Sequence, residues 1–218
     1  MASRPSLGAL VAWGERRLTR SVGGRVGLVA GCLAAALCVG AGAWIAREGP
    51  AVPLSGWVVR AVRWLGWSSL APLGLAAAWD PGAAERRDGL DWMARSRGID
   101  GRRLALAHAL AVVRVAVRRL GAGVLVCAGG LALVARADAA AILALVPGLV
   151  VFAVVCGVTL GLAASACGRA AGRYGPWLLA AVVLLPWMLS DLWAVPRASL
   201  PGLLGACLDA LVRVTGAA

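Results

Sequence analysis

Long apolar blocks are the feature that most restricts how this chain can fold. Hydrophobic residues make up 61% of its 218 positions, and the mean hydropathy is +0.84, whereas soluble domains are usually about 45–50% apolar. The excess is gathered into blocks of about 20 residues, which is the length that a helix needs to cross a bilayer. The sequence therefore predicts an all-α fold, a polytopic transmembrane helical bundle.

Five membrane spans are predicted within a single transmembrane domain, residues 22–218. They are about Val22–Ala46, Arg63–Trp79, Val117–Ala135, Ala139–Ala164 and Pro176–Val195. The first block is too long for the apolar core of a signal peptide, so we expect no cleaved leader.

Two amphipathic segments flank the predicted spans. Residues 6–20, within an N-terminal region of residues 1–21, alternate apolar and basic side chains, which is typical of a helix that lies on a membrane surface. A plain juxtamembrane tail is the alternative. Near the C-terminus, Ser199 can cap a helix whose apolar residues fall on one side. Because this helix is short for a span, we expect it to be surface-lying or re-entrant, with a sixth span as the alternative.

The basic residues indicate the orientation in the membrane. All 22 are arginine, and the net charge is +12. Their clustering at the ends of apolar blocks argues against nucleic acid as a partner. If all five spans cross, 16 arginines fall on one side and six on the other, so the positive-inside rule predicts a cytoplasmic N-terminus. The arginine, alanine and glycine usage suggests a high-GC bacterial genome, hence a bacterial inner membrane.

Residue types that carry catalysis or bind metals are sparse. The six cysteines make no CxxC pair and His108 is the only histidine, so neither a metal site nor a cofactor is predicted. The chain lacks the lysine that a Walker A loop requires. DGLDWMAR, residues 88–95, lacks the spacing and the later paired aspartates of the membrane phosphatidyl-alcohol transferases. We therefore do not expect an enzyme.

Glycines recur at helical spacing in two of the spans. Gly23, Gly27 and Gly31 are four residues apart in the first span, as are Gly157 and Gly161 in the fourth. Small residues at this spacing allow helices to approach closely in a membrane. These five glycines are candidate helix-packing positions.

Residues 80–103 are the one long polar segment, which we call the docking segment. Asp80 can cap a helix and Pro81 suits its first turn, and charged residues follow at helical spacing as far as Arg95. An aromatic anchor among charges is typical of surfaces that bind a protein partner. A solvated loop joining two spans is the alternative. The candidate docking residues are Glu85, Arg86, Asp88, Leu90, Trp92, Met93, Arg95 and Arg97.

The order of these features resembles the membrane (permease) subunit of export-type, or type-two, ATP-binding-cassette (ABC) transporters. In that family an amphipathic N-terminal helix precedes span one, matched by residues 6–20. A short cytoplasmic coupling helix joins spans two and three, matched by ERRDGLDWMARSRGIDGRR, residues 85–103. The stretches LALAHALA (104–111) and SLPGLLGACLDAL (199–211) are also similar to the family. The family has six spans, whereas five are predicted here.

This resemblance implies that ATP chemistry takes place on another chain. A cytoplasmic ABC ATPase subunit would press on the docking segments of two permease copies, or of this chain and a paralogue, and so tilt spans that are embedded in membrane lipid. Trp92 would anchor the ATPase, and charged residues would pair at the rim. A membrane scaffold or accessory subunit that docks a partner through residues 80–103 without transport is the alternative. The residues do not indicate a substrate.

Overall fold

The computed structural model describes residues 6–48, 54–79, 81–87, 99–135 and 139–182, together with the isolated positions 89, 92, 96, 206, 207, 209, 210 and 213. Across these residues the regular elements are all helical, which confirms the all-α class. The helices are α1 (Leu7–Arg20), α2 (Val22–Glu48), α3 (Leu54–Ala78), α4 (Pro81–Arg87), α5 (Gly101–Val134) and α6 (Ala139–Ala171). A 3-10 turn, Gly172–Tyr174, follows α6.

Ser21 separates the first two helices. Its backbone is extended, with φ −63° and ψ 154°. Its hydroxyl donates to the carbonyl oxygen of Leu18 at 2.7 Å and accepts from the amide of Gly24 at 3.0 Å. One side chain thus ends α1 and caps α2, a role for which serine is strongly preferred.

Close approach at glycines brings α2 against α3. A β-carbon on Gly23 would lie 2.6 Å from the carbonyl oxygen of Pro72, and one on Gly27 would lie 2.6 Å from that of Ser69. Gly31 also faces Ser69. The three candidate packing glycines of α2 therefore share the face that contacts α3, and a larger residue there would force the helices apart.

Contacts between distant residues fix the directions of the helices. The indole of Trp57, near the start of α3, donates to the carbonyl of Cys38 in the second half of α2 at 3.0 Å. His108, near the start of α5, is hydrogen-bonded to Ala77 at the end of α3. Therefore α3 runs opposite to α2, and α5 runs opposite to α3.

The next helix, α6, returns along α5. A β-carbon on Gly157 would lie 2.6 Å from a methyl group of Val117, and one on Gly161 would lie 2.5 Å from a methyl group of Val113. The reversed order of these pairs makes the two helices antiparallel, so α2, α3, α5 and α6 alternate in direction. The largest fully buried side chains in this bundle include Leu65, Leu73, Leu120, Leu131, Ile142, Leu145 and Leu149.

This alternation gathers the basic segments at one end of the bundle. The basic end, as we call it, carries α1, α4, the first turns of α5 and the turn after α6. The opposite end carries the last turns of α2 and α5 and the first turns of α3 and α6.

The fourth predicted span is longer in the structure than in the sequence analysis. The span is predicted to end at about Ala164, but α6 continues as a helix to Ala171. Its last turns are stabilised by packing, since Gly168 lies against Ala78 at the end of α3. Apolar and small side chains in this stretch favour a packed helix over the loop that its arginines suggest.

Gly172 allows the chain to reverse after α6. Its φ of 53° is a left-handed conformation that glycine adopts without strain. Residues 175–182 are helical again, with Gly175 against Ala78 and Leu179 beside Gly74. This segment therefore runs back along α3, antiparallel to α6.

Two helical stretches are long and apolar enough to cross a membrane. They are Val22–Arg47, whose most apolar part has a mean hydropathy of 2.1, and Ala139–Val182, whose most apolar part has a mean hydropathy of 2.7. Of the most apolar part of the first, 17% is buried, so it presents a largely apolar outer surface. The spans predicted within α3 and α5 are not among these two stretches. Most of the fifth predicted span and of the C-terminal helix lies outside the described residues. The fold is thus all-helical and compatible with membrane association.

Candidate partner-docking surface

The docking segment starts with α4, which packs against the end of α6. Pro81 is buried at its first position, where a proline needs no amide partner, and its ring lies beside Gly168. The sequence predicts helical spacing as far as Arg95, but α4 ends at Arg87. The break coincides with Gly89, which has a φ of 71° and donates its amide to the α4 carbonyl three residues earlier at 3.1 Å.

Glu85 connects α4 to α6. The guanidinium Nη2 of Arg169 donates to its Oε1 at 2.7 Å, and the side chains are 10% (Glu85) and 30% (Arg169) exposed. Such charge-assisted bonds are short and stronger than neutral ones. The sequence analysis expects Glu85 at an exposed rim, whereas the structure places it inward, bonded to this chain.

Trp92 faces outward from the docking segment. It is helical and 75% exposed, and Arg86 is also exposed. An exposed tryptophan offers a large apolar area with one N–H donor, the type of side chain that dominates protein interfaces. The candidates Asp88, Leu90, Met93, Arg95 and Arg97 lie outside the described residues.

Asp100 fixes the point at which the docking segment enters α5. Its side chain accepts from the amide of Arg102 at 3.2 Å, in a typical N-cap arrangement. Ile99 and Leu104, on either side of the cap, are buried. The docking segment is therefore held at both ends, by α4 against α6 and by the capped start of α5.

His108 lies buried beneath this region, on α5 before the third predicted span. Its Nε2 is 3.0 Å from the carbonyl oxygen of Ala77, so the neutral tautomer with a proton on Nε2 donates to α3. Burial lowers the pKa of His108 from 6.5 to about 4, because the imidazolium would lose its hydration. The bond to Ala77 opposes this shift, and the charges of Arg17 and Arg169 add to it. The imidazole is thus a neutral packing group at pH 7.

A second carboxylate, Glu15 of α1, reaches α5. Its Oε2 is 3.1 Å from Nη1 of Arg118 and its Oε1 is 3.5 Å from Nη1 of Arg114. The first distance is a hydrogen bond, whereas the second is an ion pair with no hydrogen bond to that oxygen. Arg114 and Arg118 are 55% and 71% exposed. The Glu15 side chain is 15% exposed, so this contact joins a shielded carboxylate to two solvent-exposed guanidinium groups.

The apolar face of α1 is covered by the bundle. Leu10, Val11 and Leu18 are buried, and Gly14 faces the β-carbon of Ala111 on α5. The sequence analysis expects this face to contact the membrane surface, but it is already occupied by protein. The part of α1 that remains outside is mostly polar and basic.

The described residues contain no group of three or more histidine, cysteine, aspartate or glutamate side chains that could hold a metal ion. No family model matches the chain, and neither a curated protein nor a solved structure is similar to it.

The sequence analysis missed the two inward contacts of the basic end. Glu15 is the one acid in residues 6–20, and Glu85 directly precedes two arginines, which was the available signal. Along the chain, Glu15 lies 103 residues from Arg118, and Glu85 lies 84 residues from Arg169. Spacing along one helix cannot show such pairs, because they depend on how the helices pack.

Proposed function

We propose that this chain is the permease subunit of a type-two ABC exporter in a bacterial inner membrane, and that the docking segment receives a separate cytoplasmic ATPase. In this proposal α2, α3, α5, α6 and the segment that begins at residue 175 each cross the membrane. The alternating directions of these helices and the arginines at one end support that arrangement.

The observation that carries the proposal is the two-sided construction of the docking segment. Trp92 is exposed, as a docking anchor needs to be, while Glu85 bonds inward to Arg169 at 2.7 Å. A coupling element needs both properties, because a partner must grip it from outside and its displacement must reach the long helices. A solvated loop would need neither.

A co-purification experiment tests this proposal. The tagged chain is extracted from membranes of its source organism in a mild detergent, and bound proteins are identified by mass spectrometry, beside the variant Trp92→Ala with Arg95→Glu. We expect the wild-type chain to recover an ABC ATPase that the variant loses. The rate of ATP hydrolysis by the recovered complex should differ from that of the ATPase without the permease.

Trp177→Ala is the matched control, because Trp177 is also 75% exposed but lies outside the docking segment. It should recover the ATPase as the wild type does. If Trp177→Ala lost the ATPase to the same extent, the loss would be a general effect of removing a surface tryptophan. Recovery of a different protein through Trp92, with no ATPase, would instead favour the scaffold function.

A further inference from the structure

One outward face of α5 carries two arginines followed by apolar residues. Arg114 and Arg118, one turn apart, are 55% and 71% exposed. Farther along the same helical face, Leu125 is 57% exposed and Leu133 is 78% exposed. Gly129, between the two leucines, has open space where a β-carbon would be. We call this set of residues the α5 stripe.

The α5 stripe has the dimensions of one lipid leaflet. Arg118 and Leu133 are 15 residues apart, or about 22 Å at 1.5 Å per residue. Half of a bilayer hydrocarbon core is about 15 Å thick. A phosphate at the arginines would therefore leave room for an acyl chain to extend along the leucines.

The arginine end of the stripe retains positive charge after its internal contact. One carboxylate, that of Glu15, faces two guanidinium groups and reaches each through Nη1. The other N–H groups of a guanidinium can donate to two oxygens of one phosphate. Arg16 and Arg20, exposed on α1, add to the positive potential nearby.

We propose that the α5 stripe binds an anionic phospholipid, with its phosphate on Arg114 and Arg118 and an acyl chain along Leu125 and Leu133. The continuous apolar face favours a lipid over free phosphate. A second copy of this chain fits the stripe less well, because a twofold contact would bring like charges together. The proposal requires a membrane but does not depend on transport or on an ATPase.

Native mass spectrometry of the delipidated chain in neutral detergent tests the proposal. Phosphatidylglycerol, phosphatidylcholine with the same acyl chains, and inorganic phosphate are titrated separately. We expect phosphatidylglycerol to bind at least about 10-fold more tightly than phosphatidylcholine, in line with the attraction of basic residues to anionic headgroups. Inorganic phosphate should not compete with it at equal concentration. Equal binding of the two lipids, or competition by phosphate, would overturn the lipid site.

Substitutions then locate the site. Arg114→Gln with Arg118→Gln should weaken phosphatidylglycerol binding about 30-fold, because about 1 kcal/mol per arginine gives about 2 kcal/mol for the pair and each 1.4 kcal/mol is a factor of ten. Arg87→Gln with Arg102→Gln removes the same charge from exposed arginines elsewhere on the basic end and should change the affinity less than about twofold. Equal losses in the two double variants would show a nonspecific charge effect and contradict the site.

Two further variants keep the test independent of folding. Leu125→Asn with Leu133→Asn leaves the arginines in place and alters only exposed side chains, and it should weaken the lipid several-fold through lost apolar contact. Glu15→Gln removes the competing carboxylate and should strengthen binding. No change in either variant would contradict the proposed position of the lipid, whatever the outcome of the ATPase experiment.

Discussion

Among the described residues, the basic end contains two carboxylate–arginine contacts whose settings differ. Glu85 meets Arg169 at 2.7 Å, and that arginine is 30% exposed. Glu15 is 15% exposed and meets, at 3.1 and 3.5 Å, two arginines whose side chains are more than half exposed. Solvent screens an exposed ion pair, so it contributes about 0–1 kcal/mol. A buried charge that loses its partner is left without hydration. Burial, rather than the number of arginines, should therefore decide how strongly each contact holds its helix.

The largest expected effect is at the buried contact. Glu85→Gln should lower the free energy of unfolding by about 2 kcal/mol, because it leaves the half-buried guanidinium of Arg169 without its carboxylate. Unfolding in detergent micelles measures this change. Arg86→Gln on the same helix is the control and should have little effect, since that side chain is exposed. A loss below about 0.5 kcal/mol for Glu85→Gln would mean that the Glu85–Arg169 contact stabilises the fold no more than the Glu15 contact does.

Low pH should lower the free energy of unfolding, because His108 is buried in its neutral form. Its pKa is about 4 in the folded chain and 6.5 when unfolded, so the unfolded state binds more protons between these values. Stability is therefore complete above pH 6.5 and falls as the pH drops toward 4, by about 2 kcal/mol between pH 7.5 and pH 5. Unfolding measured across that range should show this slope, and His108→Asn should flatten it. An unchanged slope in the variant would assign the pH dependence to other groups.

Glycines beside the two contacts allow a matched comparison of packing. A β-carbon on Gly168 would lie 2.8 Å from the backbone carbonyl of Ala78, whereas one on Gly14 would lie 2.8 Å from the side chain of Ala111 on a peripheral contact. We expect Gly168→Ala to destabilise the chain by about 1–2 kcal/mol. Gly14→Ala should cost less than this, since it meets one side-chain atom rather than backbone and alanine favours a helix by about 1 kcal/mol.

Gly121→Ala is the reference for this pair, because nothing lies within 4 Å of its β-carbon position. It should leave stability unchanged or raise it, through helix propensity alone. If Gly14→Ala were as harmful as Gly168→Ala relative to this reference, α1 would be packed as rigidly as α4.

The smallest effect is expected at the exposed contact. Glu15→Gln should lower the free energy of unfolding by less than about 1 kcal/mol, and the difference from wild type should shrink further in 1 M salt. The same salt should leave the effect of Glu85→Gln nearly unchanged. A large, salt-independent loss for Glu15→Gln would mean that the exposed pair is desolvated.

Local signals in the sequence predicted the start of one helix and the packing face of another. Proline suits the first turn of a helix for reasons of backbone chemistry, and α4 begins at Pro81. The four-residue spacing of glycines marked the face of α2 that contacts α3. These features depend on neighbours along one helix, which a sequence displays directly.

The surface that covers each apolar helix face could not be predicted in the same way. The pattern of α1 shows that Leu10, Val11 and Leu18 share a side, but it does not distinguish lipid from protein as the surface that covers them. The partners of Glu15 and Glu85 likewise depend on which helices meet at the basic end. Within the docking segment, Gly89 ends α4 early, a break that the charge spacing around it conceals.

The length of α5 has a mechanical consequence. Its 34 residues make a rod of about 51 Å, although about 20 residues are enough to cross the hydrocarbon core. This helix begins at the end of the docking segment, so a force applied to that end is transmitted along one continuous helix. A rotation of about 5° would displace its other end by about 4 Å, which is nearly three residues of helical rise at 1.5 Å each.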